Sequence, residues 1–549
     1  EAALSTAGKV TRPAAGKADI PVTLTATISY QGQFSMTKEF KLKVMAASDL
    51  QSLEEFAYGD VNITDDYYNN VAAKDVEFLN KFDPDRLMYN FRLTAGYTAA
   101  EINAKDIHND GSGASKPYPG GWENSRIGGH TMGHYLAAAA QAVANGYGDI
   151  AGEDGLTLKQ RLDYMIDELK DCQDKLGTGF IFGATMADVK DPERQFNLLE
   201  KGTTSDTWVP WYTMHKIVNG LVETYRLAGN ETALEIAESL GEWIYDRTLK
   251  WDANVQKRVL NVEYGGMNDC LYELYKYVKM RGDYATVNHF KEAAHMFDET
   301  ELFDRVLAGE PNVLNGRHAN CTIPKFMGAL NRYRALKDEG DESKYLQYAE
   351  SFWTLITEKH TYITGGNSEC EFFGADNVLD LERSHCNCET CNTHNMLKLT
   401  RELYRITGDK KYADYYENTF INAIMASVNE ETGMTTYFQP MATGYFKVYC
   451  NPDLEKNYFW CCTGTGLENF TKLGDSFYYY TGDKLIVNQY TSSEVTWKDK
   501  GVTLKQETSI PNTDKASFTV QLLNGKTSSA FDLRLRVPDW AVSAPTVKV

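Results

Sequence analysis

The chain has 549 residues, and its 42% hydrophobic and 24% charged residues are typical of a globular protein with a sizeable core. Its formal charge of −20 disfavours nucleic acid or an anionic membrane surface as a partner and is compatible with a neutral substrate. We find no run of about 18 apolar residues and therefore expect no membrane span. The first residues lack the basic and apolar pattern of a signal peptide, which we expect to be absent from this chain.

The N-terminal segment, residues 1–47, is predicted to be β-structure. Polar and apolar residues alternate along 22–30 and again along 40–44, with a glycine-containing segment between them. Two or three strands are too few for an independent sandwich. We therefore expect a partial immunoglobulin-like β module, a type most common in extracellular proteins.

The segment from about residue 73 to 430 has helical periodicity and contains an internal repeat. Each repeat has a glycine that ends one helix and an Asp or Asn that caps the next. Helical hairpins at this spacing favour an (α/α)6 toroid over a solenoid, whose repeats are shorter. The sequence thus predicts a mainly α fold, with a catalytic barrel over residues 48–432. The repeat glycines, at intervals of 53 to 68 residues, are Gly229, Gly282, Gly340 and Gly408.

Residues 433–549 are predicted to be rich in β-structure, and we expect them to form an incomplete C-terminal sandwich. We place the adjacent pair Cys461 and Cys462 on a turn within this region. The predicted strands cover 485–490, 502–504, 518–522 and 531–537.

Seven of the ten cysteines fall between residues 370 and 462. Adjacent cysteines bond to each other only through a strained ring, so a disulfide between Cys461 and Cys462 is disfavoured. Glu389 and Cys391, at the start of a predicted helix, would complete a cage of three sulfurs and one carboxylate that suits Zn²⁺. Such a cage carries excess negative charge and makes one sulfur a candidate nucleophile. A closed structural zinc site, disulfides and unpaired thiols remain alternatives; the competing ligands are Cys370, Cys386, Cys388, Cys450, His385 and His394.

Other candidate groups lie on loops and at helix starts. The glycine-rich loop 365–374 carries Glu369 and Glu371, either of which would serve as a general acid or base. His130 and His134 are spaced i, i+4, which suits a metal, but the Glu of an H-E-x-x-H motif is missing. His215 and His318 lie near helix starts, where a histidine either packs in the core or, in a toroid, lines the central cavity.

An ordered set of short motifs covers residues 121–123, 129–130, 133–136, 211–216, 263–268, 318–320, 371–373, 389–391, 395–399 and 459–466. This set resembles the β-L-arabinofuranosidase group, glycoside hydrolase families 127 and 146. The resemblance runs from about residue 70 to the C-terminus, and residues 1–47 lie outside it. The set of motifs is specific, although no single motif is.

The resemblance implies an (α/α)6 catalytic barrel followed by β-sandwich domains, and a retaining hydrolase of β-linked L-arabinofuranose. It implies that Cys461 is a zinc-bound nucleophile and that Glu371 is the acid/base, with Glu369 in reserve. The crowded segment 386–388 departs from the family pattern, which leaves a different ligand set or a regulatory disulfide open. The implied zinc ligands are Glu389, Cys391, Cys461 and Cys462, and the implied sugar-binding residues are His215, His318, His130, Trp122 and Glu123.

The leading hypothesis is a secreted or cell-surface exo-glycosidase that acts on arabinose-containing plant glycans. One alternative is an (α/α) toroid polysaccharide lyase with a Tyr or His base, which usually needs a basic cleft. Another is a non-catalytic sugar-binding surface protein in which the cysteine cluster is a structural zinc site.

Overall fold

Helices dominate the computed structural model, which describes residues 4, 10–15, 17–30, 34–44, 46, 48–50, 52–108, 116–184, 190–203, 205–282, 285–523, 525–543 and 545–549. This confirms the prediction of a mainly α protein. Among these residues the α-helices are α1 Asp66–Leu79, α2 Pro84–Thr94, α3 Ala99–Lys105, α4 His130–Ala142, α5 Leu158–Leu176, α6 Arg194–Lys201, α7 Pro210–Ala228, α8 Glu231–Thr248, α9 Ala253–Leu260, α10 Met267–Arg281, α11 Val287–His295, α12 Thr300–Leu307, α13 Ala319–Leu336, α14 Ser343–Lys359, α15 Thr390–Thr407, α16 Lys410–Thr419 and α17 Cys461–Phe470.

Six helices form a closed inner ring, in the order α4, α7, α10, α13, α15 and α17, with α17 packing back against α4. Helices α5, α8, α11, α14 and α16 pack outside α4, α7, α10, α13 and α15 respectively. This arrangement is the predicted toroid. The inner ring brings the N-termini of α15 and α17 together.

Glycines shape the ring in two ways. Gly229 and Gly408 follow α7 and α15 with positive φ angles of 67° and 61°, which glycine adopts without strain. The two residues that come next cap α8 and α16 with their side chains. Gly133 and Gly220 let α4 and α7 approach closely, because a Cβ at Gly133 would lie 2.1 Å from the carbonyl oxygen of Lys216.

The strands form a hairpin and two four-stranded sheets. Strands β1 and β2 pair antiparallel, with Leu24 opposite Phe40. The sheets have the orders β10-β6-β5-β3 and β4-β7-β8-β9, so strands just before the barrel join the C-terminal β-structure. The described strands are β1 Ile20–Tyr30, β2 Phe34–Val44, β3 Glu54–Glu55, β4 Val61–Ile63, β5 Tyr478–Thr481, β6 Lys484–Val487, β7 Ser493–Trp497, β8 Val502–Thr508, β9 Ala516–Leu522 and β10 Asp532–Leu535.

Two features differ from the sequence-based expectation. Cys461 and Cys462 do not lie on a turn; they begin α17, every residue of which is buried. This helix lies beyond residue 432, where the barrel was predicted to end, yet it closes the inner ring. Thr and Gly disfavour helix, so the local sequence conceals an element that tertiary burial stabilises.

No helix in the described part of the chain combines the length and apolar character needed to cross a membrane.

Candidate active site

Four buried side chains converge at the N-termini of α15 and α17. One ligand atom from each of Glu389, Cys391, Cys461 and Cys462 lies within 4.8 Å of the others. The Cys391 and Cys462 sulfurs are 3.1 Å apart, and the Cys461 sulfur lies 3.3 Å from Glu389 Oε1. Because the two pairs are about seventy residues apart in sequence, only the closed ring brings them together.

The backbone turns sharply before each pair. Cys388, just before Glu389, and Phe459, two residues before Cys461, have positive φ angles of 52° and 51°. Non-glycine residues adopt this region at a cost, and it is enriched at functional sites. Both pairs thereby reach a helix N-terminus, where the helix dipole favours negative charge. Thr390 fixes the start of α15 by donating its N–H to the Tyr437 carbonyl at 2.9 Å.

The four side chains fit a divalent zinc ion. Ligands around a tetrahedral zinc lie roughly 3.3–3.8 Å from each other, close to the separations of 3.1 to 4.0 Å between the named atoms here. Glu389 Oε2 is buried without a hydrogen-bond partner. Burial is the main reason that the pKa of Glu389 lies well above its ordinary value, and the neighbouring Cys461 raises it further. Burial also raises the pKa of the Cys461 thiol well above its ordinary value. A bound cation would offset the electrostatic cost of burying these acidic groups next to one another.

Glu371 lies beside this cluster on the glycine-rich loop. The Tyr437 hydroxyl donates a hydrogen bond to Glu371 Oε1 and is 3.9 Å from the Cys461 sulfur. His318 Nε2 is 3.6 Å from Glu371 Oε2. Burial acts to raise the pKa of Glu371, but His318 and Tyr437 outweigh it and the net pKa is lowered. Glu369 instead pairs with the neighbouring Cys370 thiol, so Glu371 is the carboxylate that faces the cluster.

The loop that carries Glu371 is strained. Ser368, Cys370 and Glu371 have φ angles of 74°, 44° and 73°. Side-chain-bearing residues occupy this region at a cost of the order of 1 kcal/mol or more each. With this backbone conformation the Glu371 side chain contacts Tyr437 and His318.

His318 has acidic neighbours on two sides. Its Nε2 is 4.0 Å from Glu263 Oε1, and Glu263, His318 and Cys321 form a second compact group of ligand-type atoms. Burial acts to lower the pKa of His318, but hydrogen bonding to Glu371 and the charge of Glu263 raise it to about 9. His318 is therefore a proton-bearing donor beside Glu371 at neutral pH.

His215 is a buried histidine beside the start of α10. The Gly266 N–H donates to His215 Nδ1 at 3.1 Å, which leaves the ring proton on Nε2. Burial lowers the pKa of His215 well below its ordinary value. Gly266 belongs to the motif 263–268, and its backbone lies against the ring of His215.

Two of the predicted sugar-binding residues are buried and contact backbone groups. His130 is fully buried and its two ring nitrogens contact the carbonyl oxygens of Ile127 and Phe459. Glu123 is also buried and accepts the N–H groups of Gly129 and Thr131 at the start of α4. These backbone contacts give both residues a structural role, and their part in sugar binding stays a prediction. The sequence places them at the barrel end but does not show which backbone groups they satisfy.

Of the other residues that the sequence singled out, some contact the cysteine cluster and others lie away from it. Trp122 packs against the cysteine cluster. His134 and His394 face Glu468 and Asn469, below the cluster, and do not join it. His385 is exposed, and the ten cysteines are free thiols in the described structure. Tyr437 was missed because no motif surrounds it.

Family models match most of the chain. The catalytic domain of the glycoside hydrolase family 127 β-L-arabinofuranosidases matches residues 60–475, and the middle domain of the same family matches residues 484–549. A model for an atrophied bacterial immunoglobulin domain matches residues 1–47. The search of curated proteins found no match.

Solved structures share the fold. A GH127 β-arabinofuranosidase, BT3674, has a TM-score of 0.64 at 17% identity, covering 89% of this chain and 72% of its own. A GH127 β-L-arabinofuranosidase from Geobacillus stearothermophilus T6 has a TM-score of 0.59 at 17% identity, covering 87% and 75%. The catalytic-domain match covers well over half of this chain. The protein is therefore a glycoside hydrolase and belongs to the GH127 β-L-arabinofuranosidase family.

Proposed function

We propose that the protein is a retaining exo-glycosidase that hydrolyses β-linked L-arabinofuranosides of plant glycans, with Cys461 as nucleophile and Glu371 as acid/base. The observation that carries this proposal is the convergence of Glu389, Cys391, Cys461 and Cys462 beside Glu371. The GH127 relatives supply the substrate class. We also propose, as the sequence predicts, that the protein acts outside the cell.

The two reacting groups have suitable positions. Cys461 and Glu371 both contact the Tyr437 hydroxyl, which places them close together, as a retaining pair with its separation of about 5 Å requires. Glu371 gives its proton to the leaving glycosidic oxygen while the Cys461 sulfur attacks the anomeric carbon. Glu371 then takes a proton from water, whose oxygen attacks the same carbon and displaces the sulfur. Two inversions return the original configuration.

A zinc ion held by Glu389, Cys391, Cys461 and Cys462 would supply the positive charge that keeps the Cys461 sulfur deprotonated at neutral pH. His318 would hold a proton close to Glu371 and donate a hydrogen bond to the sugar. His215, with its proton on Nε2, would donate another. Trp122 would pack against an apolar face of the sugar ring.

The direct test combines metal analysis with anomer selectivity. We expect one equivalent of zinc and hydrolysis of an aryl β-L-arabinofuranoside, with the α anomer cleaved at least 100-fold more slowly. Cys461→Ser should abolish turnover while the fold remains. A Cys461→Ser enzyme that still turns over would leave the cluster only the role of a structural zinc site. An unsaturated product absorbing in the ultraviolet would instead indicate a lyase.

A further inference from the structure

An aromatic ladder leads from the cysteine cluster to the surface. The ring of Tyr437 lies 5.2 Å from that of Trp460, and Trp460 stacks on Tyr458 at 5.6 Å with an interplanar angle of 9°. Exposure increases outward, from 2% for Cys461 to 60% for Tyr458. The ladder thus links the proposed nucleophile to solvent through three neighbouring rings.

A second aromatic pair starts from the same cluster. Trp122 packs against the three cysteines, and Trp208 meets it edge to face at 5.8 Å. Trp208 is 42% exposed. The backbone N–H of Trp122 donates to the carbonyl of Tyr458 at 3.0 Å, which joins the pair to the ladder.

Exposed aromatic rings beside a buried site point to a ligand. Leaving large rings in water forgoes the free energy of burying them, so grouped exposed rings mark binding surfaces. Tyr and Trp combine an apolar face with a polar edge, which suits a sugar with C–H groups on one face and hydroxyls at its rim. A neutral glycan also agrees with the chain's charge of −20.

We propose that the outer rings of the ladder and of the tryptophan pair bind the leaving-group side of the glycan, so that sugar units beyond the scissile bond stack on Tyr458 and Trp208. The terminal arabinofuranose would occupy the buried end at Cys461, which leaves only the outward direction for the rest of the substrate. This assignment of Tyr458 and Trp208 rests on the proposed function, because the proposed function fixes the position of the scissile bond. The preferred substrate is then an oligosaccharide and not a simple glycoside.

Tyr458→Ala and Trp208→Ala test this with two substrates, methyl β-L-arabinofuranoside and a β-L-arabinofuranosyl trisaccharide. We expect kcat/KM on the trisaccharide to fall about tenfold for each variant, the size of one lost aromatic contact. The loss should lie in KM, and the methyl glycoside should change less than twofold. Trp540→Ala, which removes a tryptophan that is 53% exposed and belongs to neither group, is the matched control.

Equal losses on both substrates, or no loss on the trisaccharide, would overturn the proposal. A wild-type enzyme that hydrolyses neither substrate would overturn the proposed function instead. Calorimetric binding of the trisaccharide to Cys461→Ser, with and without Tyr458→Ala, gives a readout independent of turnover. We expect about tenfold weaker binding in the double variant.

A separate observation concerns Cys370 and Cys386. Glu369 and Asn387 form an antiparallel bridge, and the Cys370 N–H donates to the Cys386 carbonyl at 2.9 Å. The register therefore places the two cysteines opposite each other, and a regular antiparallel pair of this kind has Cα atoms about 5.5 Å apart, within the range for a disulfide. Cys370 is exposed and Cys386 partly exposed, so a reagent reaches both.

We infer that these two thiols form a disulfide by exchange with an oxidised dithiol such as oxidised glutathione. The two thiols lose two protons and two electrons as one S–S bond forms, and the donor is reduced to two thiols. The link would close the segment 370–386 and restrain Glu371, the first residue inside it. Formation of the bond does not depend on the proposed function.

Peptide mapping of the 549-residue chain, incubated with zinc, in oxidising glutathione buffer tests this second proposal. We expect one linked peptide joining Cys370 to Cys386, and at least tenfold slower amide exchange over 369–373 than in the reduced protein. Cys386→Ser should remove the link and the added protection. Absence of the linked peptide, or a link without slower exchange, would refute it.

Discussion

The histidine pair on α4 and the cysteine pair on α17 begin with the same local signal, two metal-binding side chains close in sequence. His130 contacts backbone carbonyls, and His134 contacts Glu468 at 2.5 Å. Cys461 and Cys462 instead meet two further ligands from α15, and Glu389 keeps one buried oxygen without a hydrogen-bond partner. Two ligand-type side chains close together on one helix are therefore not enough to form a metal site. The site also needs ligands from the end of a second helix, with polar atoms that have no other partner.

Among the four variants below, Cys391→Ser should have the largest effect. Serine is a poor zinc ligand, so we expect the metal to be lost and kcat/KM to fall by more than 10³-fold. Metal analysis and hydrolysis of an aryl β-L-arabinofuranoside measure both. Cys450→Ser, at a buried thiol outside the cluster, is the matched control and should retain the metal. Full metal content in Cys391→Ser would show that the two cysteine-bearing helices do not share one ion.

Glu371→Gln should follow, with kcat reduced by roughly 10² to 10⁴ on substrates with poor leaving groups, because proton donation to the leaving oxygen is lost. An activated aryl glycoside should lose less, since it needs little protonation. Glu369→Gln is the paired control, and we expect it to remain within threefold of wild type. Equal losses in the two variants would remove the assignment to Glu371.

His134→Leu tests the structural role of the histidine pair on α4. It leaves the buried Glu468 without the hydrogen bond from His134, and losing a hydrogen bond to a buried charged group costs about 3 kcal/mol. We expect the free energy of unfolding to fall by about that amount in denaturant titrations. Zinc content should stay the same. Loss of zinc would mean that the histidine pair takes part in the metal site.

Tyr437→Phe should have the smallest effect. It removes a hydrogen bond that lowers the pKa of Glu371, so that pKa should rise. Because Glu371 must be protonated for the first step, the basic limb of the kcat/KM profile should move to higher pH by about one unit. We expect a roughly tenfold loss at the optimum. A shift of the basic limb to lower pH would contradict this assignment.

The sequence predicted the toroid because the signals that begin and end each helix are local. Glycines such as Gly229 and Gly408 end helices through their own backbone freedom, and their neighbours cap the next helix. The sets of candidate ligands and of acid/base residues were also visible, because Cys, Glu and His carry the chemistry in any fold. The backbone contacts of His130 and Glu123 were not predicted, because no motif reveals them.

The sequence by itself determined the class of fold, the repeat and the residue types that perform the chemistry. Only the tertiary structure decided that a segment rich in Thr and Gly becomes α17, where Gly464 admits the ring of His134 at a distance no larger residue would permit. It also decided that Tyr437 joins Glu371 to Cys461. Both outcomes depend on burial and on contacts between distant segments. These energies exceed local propensity and are absent from any short stretch of chain.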